Sequence, residues 1–120
     1  MKEFLLLIRT AGDCADEMSP ELYQAHFKKV VDYIDNLSAA GKLISAQPLA
    51  MKGSILQGKG ASFKDGPFVE TKEVIAGYFL LRAADFAEAR DMAMAHPILE
   101  DDPVARIELR EIKRETGINC

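Results

Sequence analysis

The amino-acid sequence predicts an α+β protein of the ferredoxin-like type, βαββαβ with a small extra hairpin, whose two helices cover one face of a four-stranded antiparallel sheet. Two observations support this prediction. The indicated elements follow one another as strand, helix, strand, hairpin, strand, helix and strand. In addition, each helix has a single apolar stripe and the last strand alternates apolar with charged residues, as is typical of a two-layer protein.

The N-terminal part indicates a strand followed by a helix. Phe4–Ile8 is an unbroken apolar run, as expected of a central strand that is buried on both faces. Ser19 and Pro20 suit the N-cap and the first position of a helix, and apolar residues then recur every three or four positions over 23–37. Gly41 occupies the position directly after a helix end at which glycine is common.

Further strands are indicated before the second helix. Leu43–Leu49 is one of them, and the proline within it restricts that end to a sheet edge or a bend. Ser54–Leu56 and Ala61–Phe63 are two weak strands joined by a glycine-rich turn, which form the extra hairpin. Val74–Leu81 is a stronger strand, and Gly77 inside it indicates a bulge or the close approach of another backbone segment.

The C-terminal part indicates a helix and a closing strand. Asp85 and Glu88 have the spacing of a capping box at the start of the helix, and Pro97 ends it. Val104–Ile112 then alternates apolar and charged side chains. This alternation predicts an antiparallel strand with one buried and one polar face.

Composition and charge argue against several classes of partner. With 120 residues, of which 48% are hydrophobic and 28% charged, the chain has the size of one domain (1–114), followed by a tail (115–120). Its net charge is −4 and its basic residues are interleaved with acids, which argues against nucleic-acid binding. No apolar stretch approaches the ~20 residues that span a bilayer. The distant Cys14 and Cys120 favour a cytoplasmic protein and disfavour a structural zinc site.

The predicted central strands are apolar on both of their faces. Consecutive apolar residues occupy Phe4–Ile8 and Tyr78–Leu81, whereas the two helices can cover only one side of the sheet. A large exposed apolar patch marks an interface in a soluble protein. We therefore expect a homodimer in which two sheets pair face to face, with a cavity for a small molecule between them.

A compact motif follows the hairpin. Residues 65–79 read DGPFVETKEVIAGYF. This string resembles the signature of the DGPF branch of the YCII-related family, which runs Asp-Gly-Pro-Phe, x, Glu, x, Lys-Glu, an apolar spacer and Gly-Tyr. Every named position of the signature is present, and the surrounding pattern of strands and helices resembles the family over nearly the whole chain.

The resemblance implies a dimeric α+β barrel built from ferredoxin-like protomers, a plan that muconolactone isomerase-type and dehydrochlorinase-type proteins share. For the wider family it implies a histidine on the first helix and an aspartate directly before the proline that ends the second. In this chain the residue before Pro97 is His96. His26 lies about one helical turn farther from Gly41 than the family histidine does.

His96 is the first catalytic candidate. One interpretation makes it a general acid or base at the mouth of a pocket. The alternative is a histidine that caps the helix by holding its last carbonyl groups. The helix dipole is expected to favour the imidazolium form and so to raise the pKa of this residue.

The DGPF motif supplies most of the other candidates. Asp65 is the second catalytic candidate, with a purely structural role in the turn as the alternative. The remaining candidates are side chains that could contact a small ligand, namely His26, Glu70, Lys72, Glu73 and Tyr78. For the three charged residues the alternative is an ion-pair network that holds the loop. For His26 the alternative is a histidine at the border of the core. For Tyr78 it is a buried ring whose hydroxyl has a hydrogen-bond partner.

Two functions remain open at this point. The first is a small lyase or isomerase that works by acid–base proton transfer, without a metal or an organic cofactor. The second is a non-catalytic module that binds a small ligand or another protein through the same cavity. Catalysis requires that acid–base side chains converge on one pocket, and the order of residues along the chain does not determine this.

Overall fold

The computed structural model describes residues 1–58, 62–65 and 74–113, with the backbone alone at 14–15, 57 and 62–65. The elements in chain order are β1 (Lys2–Thr10), α1 (Cys14–Glu17), α2 (Pro20–Ala39), β2 (Leu43–Pro48), β3 (Ser54–Gln57), β4 (Ser62–Asp65), β5 (Val74–Ala83), α3 (Phe86–Met94), α4 (Ile98–Asp101) and β6 (Arg106–Glu111). The predicted order of elements is confirmed. The two additions are the four-residue helices α1 and α4, which are too short to produce a periodic pattern.

The main sheet has the strand order β2-β5-β1-β6, and all of its neighbouring strands are antiparallel. This arrangement agrees with the ferredoxin-like plan, in which the first and third strands of the motif lie at the centre. β3 and β4 pair only with each other, as a separate two-stranded hairpin. The hairpin that the sequence predicts is therefore confirmed as an addition to the sheet.

One face of the sheet packs against the helices and forms the core. On β1 the buried side chains alternate along the strand, and on β5 the same alternation continues from Phe79 onward. The core side chains of the two strands and the helices are Phe4, Leu6, Ile8, Phe79, Leu81, Leu37, Ala93 and Ile98. Because the helices cover this face only, the domain has two layers.

The opposite face of the sheet carries a cluster of half-buried apolar side chains. Leu5 lies opposite Leu80, and Leu7 lies opposite Tyr78, across the pairing of β1 with β5. An ion pair between Arg9 and Glu108 borders the cluster. We call these four central residues the open-face cluster; they are the apolar surface that the sequence predicts opposite the helices.

Both ends of α2 are set by the residues that the sequence indicates. The Ser19 hydroxyl accepts a hydrogen bond from the Leu22 amide at 3.2 Å. At the other end Gly41 has φ of 71°, and the amides of Gly41 and Lys42 donate to the carbonyls of Ser38 and Leu37. These two hydrogen bonds form a Schellman motif, which requires the left-handed conformation that glycine adopts without strain. None of the helices in the described residues is long and apolar enough to cross a membrane.

The strand β5 is irregular at Gly77, as its sequence predicts. Ile8 pairs with Gly77 and the next residue, Arg9, pairs with Ile75, so β5 has one extra residue at this point. On the other side the backbone of β2 approaches Gly77 closely. The bulge and the close approach are thus both confirmed, and they shape the end of the sheet at which β1 ends and β5 begins.

Candidate functional site

The structure brings together two side chains that are far apart in the sequence, His26 on α2 and Asp101 on α4. The His26 Nδ1 and the Asp101 Oδ2 lie 2.7 Å apart. The side chains are only 8% and 6% exposed, respectively. Water therefore competes little for this hydrogen bond. We refer to His26 and Asp101 as the dyad.

Lys29 completes the surroundings of the dyad. It follows His26 by nearly one turn of α2, and its Nζ donates to the Asp101 Oδ1 at 3.0 Å and to the Glu100 Oε1 at 2.8 Å. Burial on its own would raise the pKa of Asp101, but the hydrogen bond from His26 and the contact with Lys29 outweigh it and lower that pKa. Both oxygens of the carboxylate thus have a partner, and Asp101 is an anion at neutral pH.

This geometry is suited to proton transfer at the histidine ring. Because the Asp101 carboxylate can only accept, the Nδ1 of His26 carries the hydrogen of their bond. In the neutral ring the lone pair is then on Nε2, which can take a proton from a substrate and return it. The carboxylate holds the ring in this tautomer and stabilises the imidazolium that forms, as it does in other histidine–aspartate pairs.

His96 is buried beside the dyad and has a different environment. Its ring contacts Tyr33 and Phe79 edge-on, with ring centroids 4.9 Å away in each case. The Ile98 amide donates to its Nδ1 at 3.0 Å. Among the side chains that the structure describes, its Nε2 is the one buried polar atom without a hydrogen-bond partner. Burial, and secondarily the charge of His26, lower the pKa of His96 to about 4.

The burial of His96 and its hydrogen bond with the Ile98 amide show that two expectations about this residue are wrong. The predicted upward shift of its pKa does not occur, because the loss of hydration outweighs the helix dipole in a site this buried. The ring also does not hold carbonyls at the end of α3. It accepts an amide at the beginning of α4, so its Nδ1 has no hydrogen to donate.

Tyr33 and Tyr78 lie on opposite sides of the sheet. The Tyr33 hydroxyl donates to the Met92 carbonyl at 2.6 Å, and burial raises the pKa of Tyr33 to about 12. The Tyr78 hydroxyl lies 3.3 Å from the Ser45 Oγ, on the face away from the helices. Tyr78 is therefore not brought to the dyad.

The side chains of most candidates from the DGPF motif lie outside the described residues. Glu70, Lys72 and Glu73 lie outside the described residues. Asp65 is the last residue of β4, where its backbone pairs with Ser54. Its catalytic role stays a prediction, and so do the ligand contacts of the three charged residues.

Sequence reasoning identified His26 but missed Asp101 and Lys29. A signal for Asp101 was available, because three acids follow Pro97 closely and a proline can open a helix as well as end one. Among the described residues, no group of three or more His, Cys, Asp or Glu side chains is arranged to hold a metal ion.

Comparison with known families agrees with the sequence motif. The family model of the YCII-related domain matches residues 3–113, which is nearly all of the chain. No curated protein matches the chain. The match is to the YCII-related domain as a whole, so the assignment to its DGPF branch stays a prediction from residues 65–79.

Proposed function

Since the chain belongs to the YCII-related family, we propose that it is a small-molecule enzyme, a lyase or isomerase, that acts by acid–base proton transfer at His26. The observation that carries this proposal is the 2.7 Å hydrogen bond between His26 and Asp101 in a site largely shielded from water. In the proposed mechanism the Nε2 of His26 removes a proton from a substrate carbon or oxygen and delivers it to another atom. Asp101 orients the ring and Lys29 keeps Asp101 ionised.

The dyad can be tested before its natural substrate is identified. Proton exchange between D2O and the acidic C–H groups of small lactones and carbonyl acids, followed by NMR, detects an enzymatic base directly. His26→Gln is expected to lower the exchange rate by ~100-fold or more, the usual scale for losing a general base. Asp101→Asn is expected to lower it by ~10-fold or more, because the amide also permits the wrong tautomer of His26.

The matched control for both variants is Glu100→Gln. Glu100 neighbours Asp101 and binds the same Lys29, but its side chain is 75% exposed and forms no hydrogen bond with His26 in the described structure. Its replacement should leave the exchange rate within about twofold of the wild-type rate, since exposed ion pairs contribute little to stability. Wild-type exchange in folded His26→Gln would contradict the proposal and would favour a structural role of the dyad in joining α2 to α4.

We also propose that the protein is a cytoplasmic homodimer, joined through the open-face cluster. Support comes from the half-buried side chains of Leu5, Leu7, Tyr78 and Leu80, which form a continuous apolar surface on the central strands. A stable interface of this kind buries on the order of 2,000 Å² or more and is mainly apolar. A cavity between the paired sheets remains part of the proposal.

Light scattering at micromolar concentration tests the assembly. The wild-type protein is expected to have the mass of a dimer, and Leu7→Lys is expected to have that of a monomer because a charge would be buried at the centre of the interface. Leu22→Lys is the control, since Leu22 lies on α2 and is 39% exposed. It should remain dimeric. A monomeric wild-type protein would contradict the proposed interface.

A further inference from the structure

A cleft of about 500 Å³ lies at the end of the sheet, between the segment 49–53 that joins β2 to β3 and the beginning of β5. Its walls are mainly apolar. Three of the large side chains that line it are unusually exposed for their type: Leu49 at 45%, Ile55 at 52% and Ile75 at 40%. A volume of this size is within the range of pockets for small organic molecules. Neither residue of the dyad is among the described residues that line it.

The charged side chains that the described residues contribute to the cleft are basic, whereas the whole protein is acidic. The charged lining residues of the cleft within the described chain are Arg9 and Lys52, and no Asp or Glu is found there with them. Over the full sequence, however, 19 acids outnumber 15 bases. Basic side chains in a concave site raise the local concentration of small anions.

Arg9 is held in place for such a role. Its Nε and Nη2 both donate to the Glu108 Oε1, at 3.1 and 2.6 Å. This pairing fixes the plane of the guanidinium while Nη1 keeps two N–H donors that bond to nothing in the part of the chain that the structure describes. A guanidinium fixed in this way loses little conformational freedom when it binds a carboxylate.

We propose that this cleft binds a small organic carboxylate with an apolar body. Arg9 and Lys52 hold the carboxylate group, and the aliphatic side chains of Leu49, Ile55 and Ile75 contact the body of the ligand. The site is additional to the dyad and does not depend on proton transfer there. The size of the cleft and its apolar walls favour such a ligand over an inorganic anion, which would leave those walls exposed to water.

Calorimetric titration with sodium hexanoate and with hexan-1-ol tests this proposal, because the two probes share one chain and differ in charge. Hexanoate is expected to bind in the millimolar range, with an affinity about 10-fold higher than that of hexan-1-ol. Raising the NaCl concentration to about 0.5 M should weaken hexanoate binding and leave hexan-1-ol unaffected. Equal affinities for the two probes, or no binding of hexanoate, would overturn the proposal.

Variants locate the binding site. Lys52→Gln lies in an exposed irregular segment, so it should fold normally and weaken hexanoate binding by about fivefold. Ile75→Asp places a carboxylate in the wall of the cleft and should abolish binding. Lys28→Gln removes the same charge from α2, outside the described lining, and should change nothing. An equal loss of affinity in Lys28→Gln and Lys52→Gln would show nonspecific attraction and overturn the assignment.

The dyad variant separates this inference from the proposed enzymatic function. His26→Gln should bind hexanoate with wild-type affinity, even if its proton exchange has been lost. Loss of hexanoate binding in folded His26→Gln would place the anion at the dyad and overturn the assignment to the cleft.

Discussion

Acidification from pH 7 to pH 4 is expected to lower the free energy of unfolding by about 3 kcal/mol through His96 alone. The pKa of this residue is about 4 in the folded protein, against an ordinary value of 6.5. Because the folded pKa is the lower one, the unfolded chain takes up the proton first. The stabilisation is therefore fully present above pH 6.5 and is lost as the pH falls from there toward 4.

The physical reason lies in the hydrogen bonding of the His96 ring. The neutral ring accepts the Ile98 amide at Nδ1, so the second proton would have to enter at that nitrogen and break the bond. The resulting cation would be 5% exposed, beside His26 and the rings of Tyr33 and Phe79. The imidazolium would lose its hydration in such a site, and the surrounding side chains offer little to replace it.

Urea denaturation at several pH values measures this effect. His96→Asn is the variant to compare, because the asparagine side chain can still accept the Ile98 amide and does not titrate. We expect it to be less stable than wild type at pH 7, since it leaves space in the core, but to lose about 3 kcal/mol less between pH 7 and pH 4. Parallel pH curves for the two proteins would show that His96 is not the titrating group.

Gly77→Ala is expected to lower the free energy of unfolding by about 2 kcal/mol or more. A Cβ at this position would lie 2.9 Å from the Gln47 carbonyl oxygen and 3.3 Å from the Pro48 Cα. Both are backbone atoms of β2, so they can move only if the strand moves. Their displacement would also strain the hydrogen bond from the Leu49 amide to the Ala76 carbonyl, which is 2.8 Å long.

Gly12→Ala provides the matched control for this substitution. A Cβ there would meet the Glu17 carboxylate at 3.1 Å, which is the end of a flexible side chain and can rotate away. The control should therefore change the stability by less than about 1 kcal/mol in the same urea titration. Equal losses in the two variants would show that the approach of β2 to Gly77 is not what excludes a side chain.

Several features of the fold can be predicted because their signals are local. Ser19 caps α2 and Gly41 ends it in the left-handed conformation, and both roles depend on side-chain size and hydrogen bonding within one turn. Asp85 likewise accepts from the Glu88 amide at the start of α3. In β6 the alternation of apolar and charged residues likewise indicates which side chains pack against the core, namely Ile107 and Leu109.

The candidate site could be predicted only in part. His26 was identified because it borders the apolar stripe of its helix, but its partner Asp101 is 75 residues away. Their contact depends on how α4 packs against α2, and a four-residue helix after a proline has no periodic pattern that would reveal its orientation. His96 was placed correctly next to a helix end, yet its burial reversed the expected direction of its pKa shift.

By itself, the sequence therefore determined the order of the elements, the ferredoxin-like plan and the apolar character of the open face, since each of these follows from neighbouring residues. Only the tertiary structure decided that His26 meets Asp101, that His96 is shielded from water, and that Arg9 and Lys52 line one cleft. These properties arise between elements distant in the chain. Distances and hydration at such contacts are set by packing, which local patterns do not encode.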